Sequence, residues 1–449
     1  MFKIVFSVKG MNWKFTAASL ALVVNAFIWY LLAFDTLKGL LDGFNTSDNT
    51  SLQLLFFGIN AGAIAVSALL GSFVIDKFKK RVPFLYLWTF AGIIISIVPL
   101  GLNTQDLNQL MAISIIFGAY FGLGMPVIMG YYSSSISIEK RAKTSGIAFL
   151  LIGLIFSIIG MITIGNLVIS CAILVAIRLS GLVLFHGTRN KEKEPLQEIQ
   201  PEKYSRIIRN KNFLLYFIPW GIFSLVNYLV IPIISQNPNF NFSALSNIVE
   251  YVIVAVVAVI CGFLADTIGR KRFAIIGFVM LGLGFAGLTL FPPSISGYVY
   301  IFADGVAWGI FYVVFLLTIW GDLAQSQNSD KFYVIGAMPF LFSNFMKLLF
   351  QPYLSTIPAA EVFSFASVFL FIAVLPLYYA PETLSDKIMK DHELKAYLDK
   401  AQKIASKESE KKPKQEKTKD QEKETEALEE KEENSKEQDE ARKLAEKYY

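Results

Sequence analysis

Long apolar runs, separated by short polar stretches, constrain the fold of this chain more than any other feature. A helix that rises 1.5 Å per residue needs about 20 apolar residues to cross a hydrocarbon layer about 30 Å thick. The chain is therefore predicted to be an all-α integral membrane protein with twelve transmembrane helices. The candidate spans are residues 15–34, 52–75, 82–102, 108–131, 145–164, 167–186, 212–234, 244–265, 272–291, 297–320, 332–354 and 360–380.

The distribution of charge supports a membrane protein with a charged tail. The 449 residues are 54% hydrophobic and only 17% charged, with a mean hydropathy of +0.50, whereas an ordinary soluble domain carries about 25% charged residues. From Pro381 onward the chain holds 17 of its 41 Lys and Arg residues and 20 of its 36 Asp and Glu residues. Because acids match the basic residues of this tail, we expect no nucleic-acid binding.

A polar stretch divides the twelve spans into six and six, and it sets the domain boundaries. We expect a first six-helix bundle at 1–186, a cytoplasmic linker at 187–211, a second bundle at 212–384 and a cytoplasmic tail at 385–449. The tail is predicted to begin as an amphipathic helix and to continue as a solvated helix or a disordered segment. Repeated halves of six spans place a binding site between two bundles that rock against each other.

The loops predict the orientation of the chain, because cytoplasmic loops of membrane proteins are rich in Lys and Arg. With the N-terminus inside, the inner loops carry 21 basic residues and the outer loops carry one, Lys38. Three glycosylation tripeptides, at Asn45, Asn49 and Asn241, all fall in outer loops. We therefore expect a multi-pass plasma-membrane protein, a monomer, with both termini in the cytoplasm.

Two related motifs end the second span of each half. "GFLADTIGRKR" (262–272) resembles the loop motif of the major facilitator superfamily almost position for position, and "SFVIDKFKKR" (72–81) is a weaker copy with Lys79 at the second glycine. "IEKRAKTSG" (138–146) resembles the charged segment that this family carries before span five, and "PETL" (381–384) resembles the end of the last span in its sugar-porter branch. Other marks of that branch are absent from the sequence.

The resemblance implies two pseudo-symmetric six-helix bundles whose inner gate is held shut by charged loops. In particular, it implies that Asp76 reaches toward the second half, while a glycine permits the tight turn between two helices. The alternative is that these charges only anchor short turns on the positive inner side. The candidate gating-loop residues are Asp76, Lys80, Arg81, Glu139, Arg141, Asp266, Gly269 and Arg270.

Charged residues inside spans are a second group of candidates, because they are costly at membrane depth. Glu250, Asp304 and Lys347 are each about 9–11 Å below the outer surface at 1.5 Å per residue, which suggests one cluster. One interpretation of the cluster is a structural ion pair between Lys347 and one carboxylate. The other is that the second carboxylate, which the single lysine cannot neutralise, takes up a proton reversibly. Arg178 lies near the inner end of span six, where it would snorkel to the cytoplasm in a structural role.

Polar and aromatic residues of spans one, four, seven and ten are candidate substrate contacts, because those spans surround the cavity in the family that the chain resembles. Each is equally consistent with an ordinary hydrogen bond or contact between helices. The candidates are Asn25, Tyr120, Asn227, Tyr228, Trp308 and Tyr312.

The sequence gives little support to the hypothesis that the protein is an enzyme. It contains no phosphate-binding Gly-Lys-Ser/Thr loop, and its two histidines and two cysteines have no metal-site spacing, so we expect no cofactor and no metal. The sequence predicts a secondary-active transporter, a symporter of a proton with a sugar or another small organic solute, with the lipid bilayer as its environment. The alternatives are a drug or metabolite exporter of the same fold and a membrane sensor or scaffold that transports nothing.

Overall fold

The computed structural model describes most of the predicted membrane body and little of the tail. The described ranges are 13–44, 50–78, 81–160, 166–188, 203–236, 244–324, 329–354 and 356–384, with 389–390 and three single positions beyond them. The predicted glycosylation sites at Asn45, Asn49 and Asn241, the gating candidate Lys80 and the helix predicted in the tail lie outside the described residues. Met1–Ser385 form one compact unit, and Asp386–Tyr449 form another.

The described part of the body contains twelve long helices, numbered α1 to α12 in chain order, and no strand. A short helix, Tyr204–Arg209, precedes the seventh, and α10 has three consecutive segments of which the middle one is a π-helix. The helices are α1 Trp13–Asp42, α2 Thr50–Phe78, α3 Arg81–Ile97, α4 Leu107–Ser135, α5 Ile138–Gly160, α6 Leu167–Thr188, α7 Lys211–Gln236, α8 Ala244–Ile268, α9 Arg270–Leu290, α10 Pro293–Phe311 with Tyr312–Thr318 and Ile319–Ala324, α11 Ser329–Leu354 and α12 Ala359–Tyr379.

The surface of these helices is that of a membrane protein. Eleven of them, within the described residues, are long and apolar enough to span a bilayer; the exception is α11, which begins near Asp330 and Lys331 and carries Lys347. Large apolar side chains are exposed along whole helices, as Phe365 and Leu375 are on α12. Soluble monomers rarely expose apolar surface on this scale. The predicted all-α membrane fold with twelve helices is confirmed.

The helices extend beyond the apolar runs that predicted them. Helix α5 begins at Ile138 rather than 145, and α1 continues to Asp42 rather than ending at 34. The physical reason is that hydropathy marks only the part of a helix in hydrocarbon, whereas its backbone hydrogen bonds continue into the polar layer.

This extension corrects the prediction that the gating residues lie in loops. Asp76 is on α2, Glu139 and Arg141 are on α5, and Asp266 is on α8. Arg81 and Arg270 are the first residues of α3 and α9. Among the described candidates only Gly269 lies in a turn, so the charges are held on rigid elements.

Two helix pairs make the main contacts between the halves. The fifth helix of each half packs against the second helix of the other, so α5 meets α8 and α2 meets α11. At the α5–α8 crossing, a Cβ atom added to Gly146 would lie 2.4 Å from the carbonyl oxygen of Ala258, and one added to Gly262 would lie 2.7 Å from that of Ala142. These glycines let the two backbones touch.

Replacing Gly146 by alanine is expected to destabilise the protein by about 1–3 kcal/mol, because the new methyl group would collide with backbone rather than with a movable side chain. Gly153→Ala is the matched control on the same helix, since its Cβ would enter open space; alanine there should be neutral or stabilising by up to about 1 kcal/mol. Thermal unfolding of both variants in detergent measures the difference. Equal midpoints would contradict the close α5–α8 crossing.

Candidate functional site

Charged side chains gather at the end of the bundle where α5, α9 and α11 begin and α2, α8 and α10 end, which we call the motif end. They connect the two halves through ion pairs and through hydrogen bonds to backbone groups. We call the charged members the ion-pair layer; they are Asp76, Arg81, Arg141, Asp266, Arg270, Asp322, Asp330 and Lys331.

Asp322 lies at the centre of the layer, at the end of α10. Its Oδ1 is hydrogen-bonded to Nη1 of Arg141 on α5, and its Oδ2 is 3.1 Å from Nε of Arg270 on α9. The side chains of Asp322 and Arg270 are fully buried, and that of Arg141 is nearly so. One carboxylate from the second half therefore binds a guanidinium group from each half.

Asp266 joins α8 to the first half by a different route. Its carboxylate accepts hydrogen bonds from the backbone N–H groups of Ala142 (3.1 Å) and Lys143 (2.8 Å) near the start of α5. The positive end of a helix dipole and its amide hydrogens favour a negative charge there. Arg270 donates at 2.8 Å to Oδ1 of Asp266, the oxygen that also accepts from Ala142, and it donates to the carbonyl oxygen of Ile138 as well.

The turn between α8 and α9 depends on Gly269. Its φ of 103° lies in the region that favours glycine, and an added Cβ would lie 2.4 Å from Oε2 of Glu382. Glu382 caps α9 by accepting from the backbone N–H groups of Arg270 (2.8 Å) and Lys271 (3.1 Å). The "PETL" stretch is thus a cap on the neighbouring helix.

The corresponding contacts at the α2–α11 crossing are more exposed. Asp76 pairs with Lys331, and Arg81 lies 2.6 Å from Asp330; both pairs join the halves. The linker residue Tyr204 hydrogen-bonds to Ser72, and the Lys331 ammonium lies 5.3 Å from the centre of its ring. Burial raises the pKa of Tyr204 to about 12, so its hydroxyl is neutral at physiological pH.

Sequence reasoning found only one side of these pairs. It named the residues of the family-like motifs and missed their partners, Asp322, Asp330, Lys331 and Glu382. A usable signal existed, because the stretch that contains the first three occupies the same position in the second half as "IEKRAKTSG" does in the first. Glu139 is exposed and makes no ion pair among the described residues.

An aromatic cluster lies further along α10, where the two halves face each other. Trp308 and Tyr312 have ring centres 4.9 Å apart, and Tyr312 stacks at 5.0 Å on Phe149 of the first half. Tyr228 of α7 and Phe340 of α11 lie within 6.4 Å of Trp308. The structure therefore brings together three of the six proposed substrate contacts.

The structure also joins two of the three charges predicted inside spans. Glu250 of α8 and Asp304 of α10 are hydrogen-bonded to each other. Lys347 does not join them; its electrostatic neighbour is Lys38 of α1, and it makes no ion pair with either acid in the described part of the chain. The prediction that all three charges form one cluster was wrong. Three residues at the same depth in the membrane can still point in different directions from their helices.

Asn25 and Tyr120 pack inside the first half instead of lining the space between halves. Asn25 donates to the carbonyl oxygen of Ile177 and accepts a 3.0 Å hydrogen bond from Arg178. The rings of Tyr120, Trp29 and Trp88 surround the Arg178 guanidinium, with ring centres 4.4–5.0 Å away. Arg178 is fully buried, so the prediction that it snorkels was wrong; cation–π contacts hold it between helices.

Asn227 is the remaining candidate of α7, and it is nearly fully buried. Neither of its amide atoms has a hydrogen-bond partner within the described residues. Buried amides are normally paired, so Asn227 is unusual, and its contact with substrate stays a prediction.

Replacing Asp322 by asparagine is expected to open the motif end, because it leaves two buried guanidinium groups without their shared carboxylate. Breaking a buried pair in this way costs about 3–5 kcal/mol. The measurement is maleimide labelling of a cysteine introduced at Ser145, which is buried one turn beyond Arg141 on α5. We expect the labelling rate to rise by at least about tenfold, which corresponds to about 1.4 kcal/mol.

The labelling experiment needs a background in which Cys171 and Cys261 are replaced by alanine. Asp35→Asn, which removes an exposed carboxylate of α1, is the matched control and should leave the rate unchanged. Equal labelling in the Asp322→Asn and Asp35→Asn proteins, both eluting as a single species, would contradict the bridging role of Asp322.

Comparison with known proteins agrees with this architecture. Residues 18–329 match the sequence profile described as the Major Facilitator Superfamily. Among solved structures, the proton:xylose symporter XylE bound to 6-bromo-6-deoxy-D-glucose is 15% identical with a TM-score of 0.60, over 83% of this chain and 96% of that one. The human organic anion transporter MFSD10 (TETRAN) is 14% identical with a TM-score of 0.61, over 82% and 99%. No curated protein sequence matches the chain.

The two structural likenesses concern the fold, since both identities are low. The profile match covers well over half of the chain, and five of the eight residues of the ion-pair layer lie on the motifs that suggested the resemblance. This chain belongs to the Major Facilitator Superfamily.

Proposed function

We propose that the protein is a secondary-active transporter that couples the movement of a small organic solute to protons by alternating access. The superfamily fold supports a secondary transporter. The carboxyl pair of Glu250 and Asp304 supports the proposal of proton coupling. The ion-pair layer supports the proposal of alternating access.

The carboxyl pair is suited to holding a proton inside the membrane. Two ionised carboxylates have only acceptor oxygens, so the hydrogen bond between Glu250 and Asp304 needs one proton between them. Asp304 is only 5% exposed, and a pair of unshielded negative charges at that depth would be costly. A pair with a retained proton and a second exchangeable one is the arrangement that reversible protonation requires.

The ion-pair layer is suited to acting as a gate. Three of its ion pairs, Arg141–Asp322, Asp76–Lys331 and Arg81–Asp330, join different halves, so separation of the halves at the motif end would break these three together. The aromatic cluster of Trp308, Tyr312 and Tyr228 would contact the solute beyond that gate. By the positive-inside preference the motif end faces the cytoplasm, with both termini, in a protein of the plasma membrane.

Neutralising the carboxyl pair is expected to separate coupling from solute movement. In vesicles with an imposed pH gradient, Asp304→Asn and Glu250→Gln should each lower accumulation of the solute at least about tenfold, because one exchangeable proton has been removed. Counterflow of labelled against unlabelled solute needs no net proton movement and should persist, because each single variant keeps one carboxyl group and the aromatic cluster. The solute for this assay comes from a screen of small molecules that raise the thermal stability of the purified protein.

Glu361→Gln is the matched control, because it removes an exposed carboxylate at the start of α12. It should leave both accumulation and counterflow unchanged. If the Asp304 and Glu250 variants still accumulate solute in response to the pH gradient, the carboxyl pair is not the coupling site.

A further inference from the structure

Helix α10 presents an acid and two aromatic rings on one face. Asp304, Trp308 and Tyr312 follow each other at intervals of four residues, which places them along one side of the helix. Glu250 extends this face from α8 through its hydrogen bond to Asp304. Tyr312 is within electrostatic range of both acids. We call these four residues the acid–aromatic face.

Among the described residues, tyrosines surround the acids of this face, and neither acid forms an ion pair with a lysine or arginine. The titratable groups that face them are Tyr251 of α8 and Tyr300 and Tyr312 of α10. Helices α4, α5, α7, α9 and α11 pack on α8 or α10. Within their described spans α4 has no charged residue, and α5, α9 and α7 with its Tyr228 carry theirs only at the motif end. Helix α11 also carries Lys347, whose electrostatic neighbour is Lys38 and not either acid. The Oδ1 atom of Asp304, itself buried, has no hydrogen-bond partner in the described part of the chain.

This arrangement leaves one negative charge to be neutralised. With one proton shared between them, Glu250 and Asp304 carry a net charge of −1, and an uncompensated charge in a poorly solvated site is unfavourable. A second proton would bring the pair to neutrality, and so would a bound monovalent cation. The two occupants exclude each other, because the pair with both would again be charged.

The adjoining rings favour an organic cation over a metal ion. A cation over the face of a tryptophan or tyrosine is attracted by the ring quadrupole, most strongly where water is excluded. Trp308 is 8% exposed, and its ring centre is 4.9 Å from that of Tyr312. Such rings also give an apolar surface to the body of the ligand, whereas a small inorganic ion would need more oxygen ligands than these two carboxyl groups supply.

We infer that the substrate is a lipophilic organic monocation, such as a protonated amine or a quaternary ammonium or phosphonium compound. Its charge binds the Glu250–Asp304 pair and its body packs on Trp308 and Tyr312. The inference deepens the proposed function and rests on it. Because the cation and the second proton bind the pair alternately, the transporter exchanges the cation for a proton. It is therefore an antiporter and not the symporter that the sequence predicted.

The first test uses the full-length wild-type protein and the probe tetraphenylphosphonium. Titration calorimetry should show one site whose affinity rises with pH, by up to about tenfold per unit where one proton competes. In weakly buffered solution at low pH, binding should release about one proton per cation, detected with a pH dye. Tetraphenylborate, which has the same shape and the opposite charge, should not bind at that site.

Variants then separate the acid from the rings. The double variant Glu250→Gln/Asp304→Asn should lose both the pH dependence and at least about nine-tenths of the affinity, a tenfold change. Trp308→Leu should weaken binding and keep the pH dependence, because the acids remain. Glu361→Gln should bind like the wild type. The wild-type measurements need no variant to fold, so they stand even if a substitution destabilises the protein.

Several results would overturn the inference. Absence of saturable binding of tetraphenylphosphonium and of a second cation, tetrapropylammonium, would do so, as would binding that neither depends on pH nor releases protons. Binding of tetraphenylborate instead would point to the Lys38 and Lys347 region. If one of these results is found and the protein still transports another solute in a proton-driven process that requires Asp304, the proposed function holds. Only the inference that the substrate is an organic cation is then wrong.

Discussion

The charged contacts between the halves at the motif end are the constraint on which the rest of the structure depends. Asp322, Arg141 and Arg270 are withdrawn from water where two helix bundles meet, and each would be unfavourable there without the others. A buried ion pair gains little over full hydration of its members, since desolvation nearly offsets the attraction. Such a layer can hold the halves together and still separate when water enters, whereas a large apolar contact would not reopen.

The two crossings that share this geometry differ in how deeply their contacts are buried. Around Asp266, the contacts are deeply buried, and Gly269 allows Glu382 to cap the next helix. Around Asp76, the pair with Lys331 is about one-tenth exposed on each side, and the sequence has Lys79 in place of the second glycine. The pseudo-symmetric fold thus carries one deeply buried connection and one that is partly exposed. The buried one is the α5–α8 crossing, where Gly146 brings the backbones into contact.

Much of the fold could be predicted from the sequence, because the bilayer imposes a length on every apolar run. The helix ends could not, since helices continue past the hydrocarbon boundary, as α5 does. The motif residues Arg141 and Arg270 were found from their pattern, but their shared partner Asp322 was missed because pairing across 52 or more residues leaves no periodic signal. The depth of Lys347 in the membrane could be predicted from its position along the helix, but the direction in which its side chain points could not. Tyr120 was misplaced because a fully buried arginine, Arg178, draws aromatic rings inward.

The most direct test of the account is the distance between the halves at the motif end. Spin labels at Thr188, where α6 ends, and Arg272, at the start of α9, report that distance by double electron–electron resonance. We predict a single distance in the otherwise unchanged protein and a second, longer one when Arg141 and Arg270 are both replaced by glutamine. One unchanged distance distribution in both proteins would contradict it.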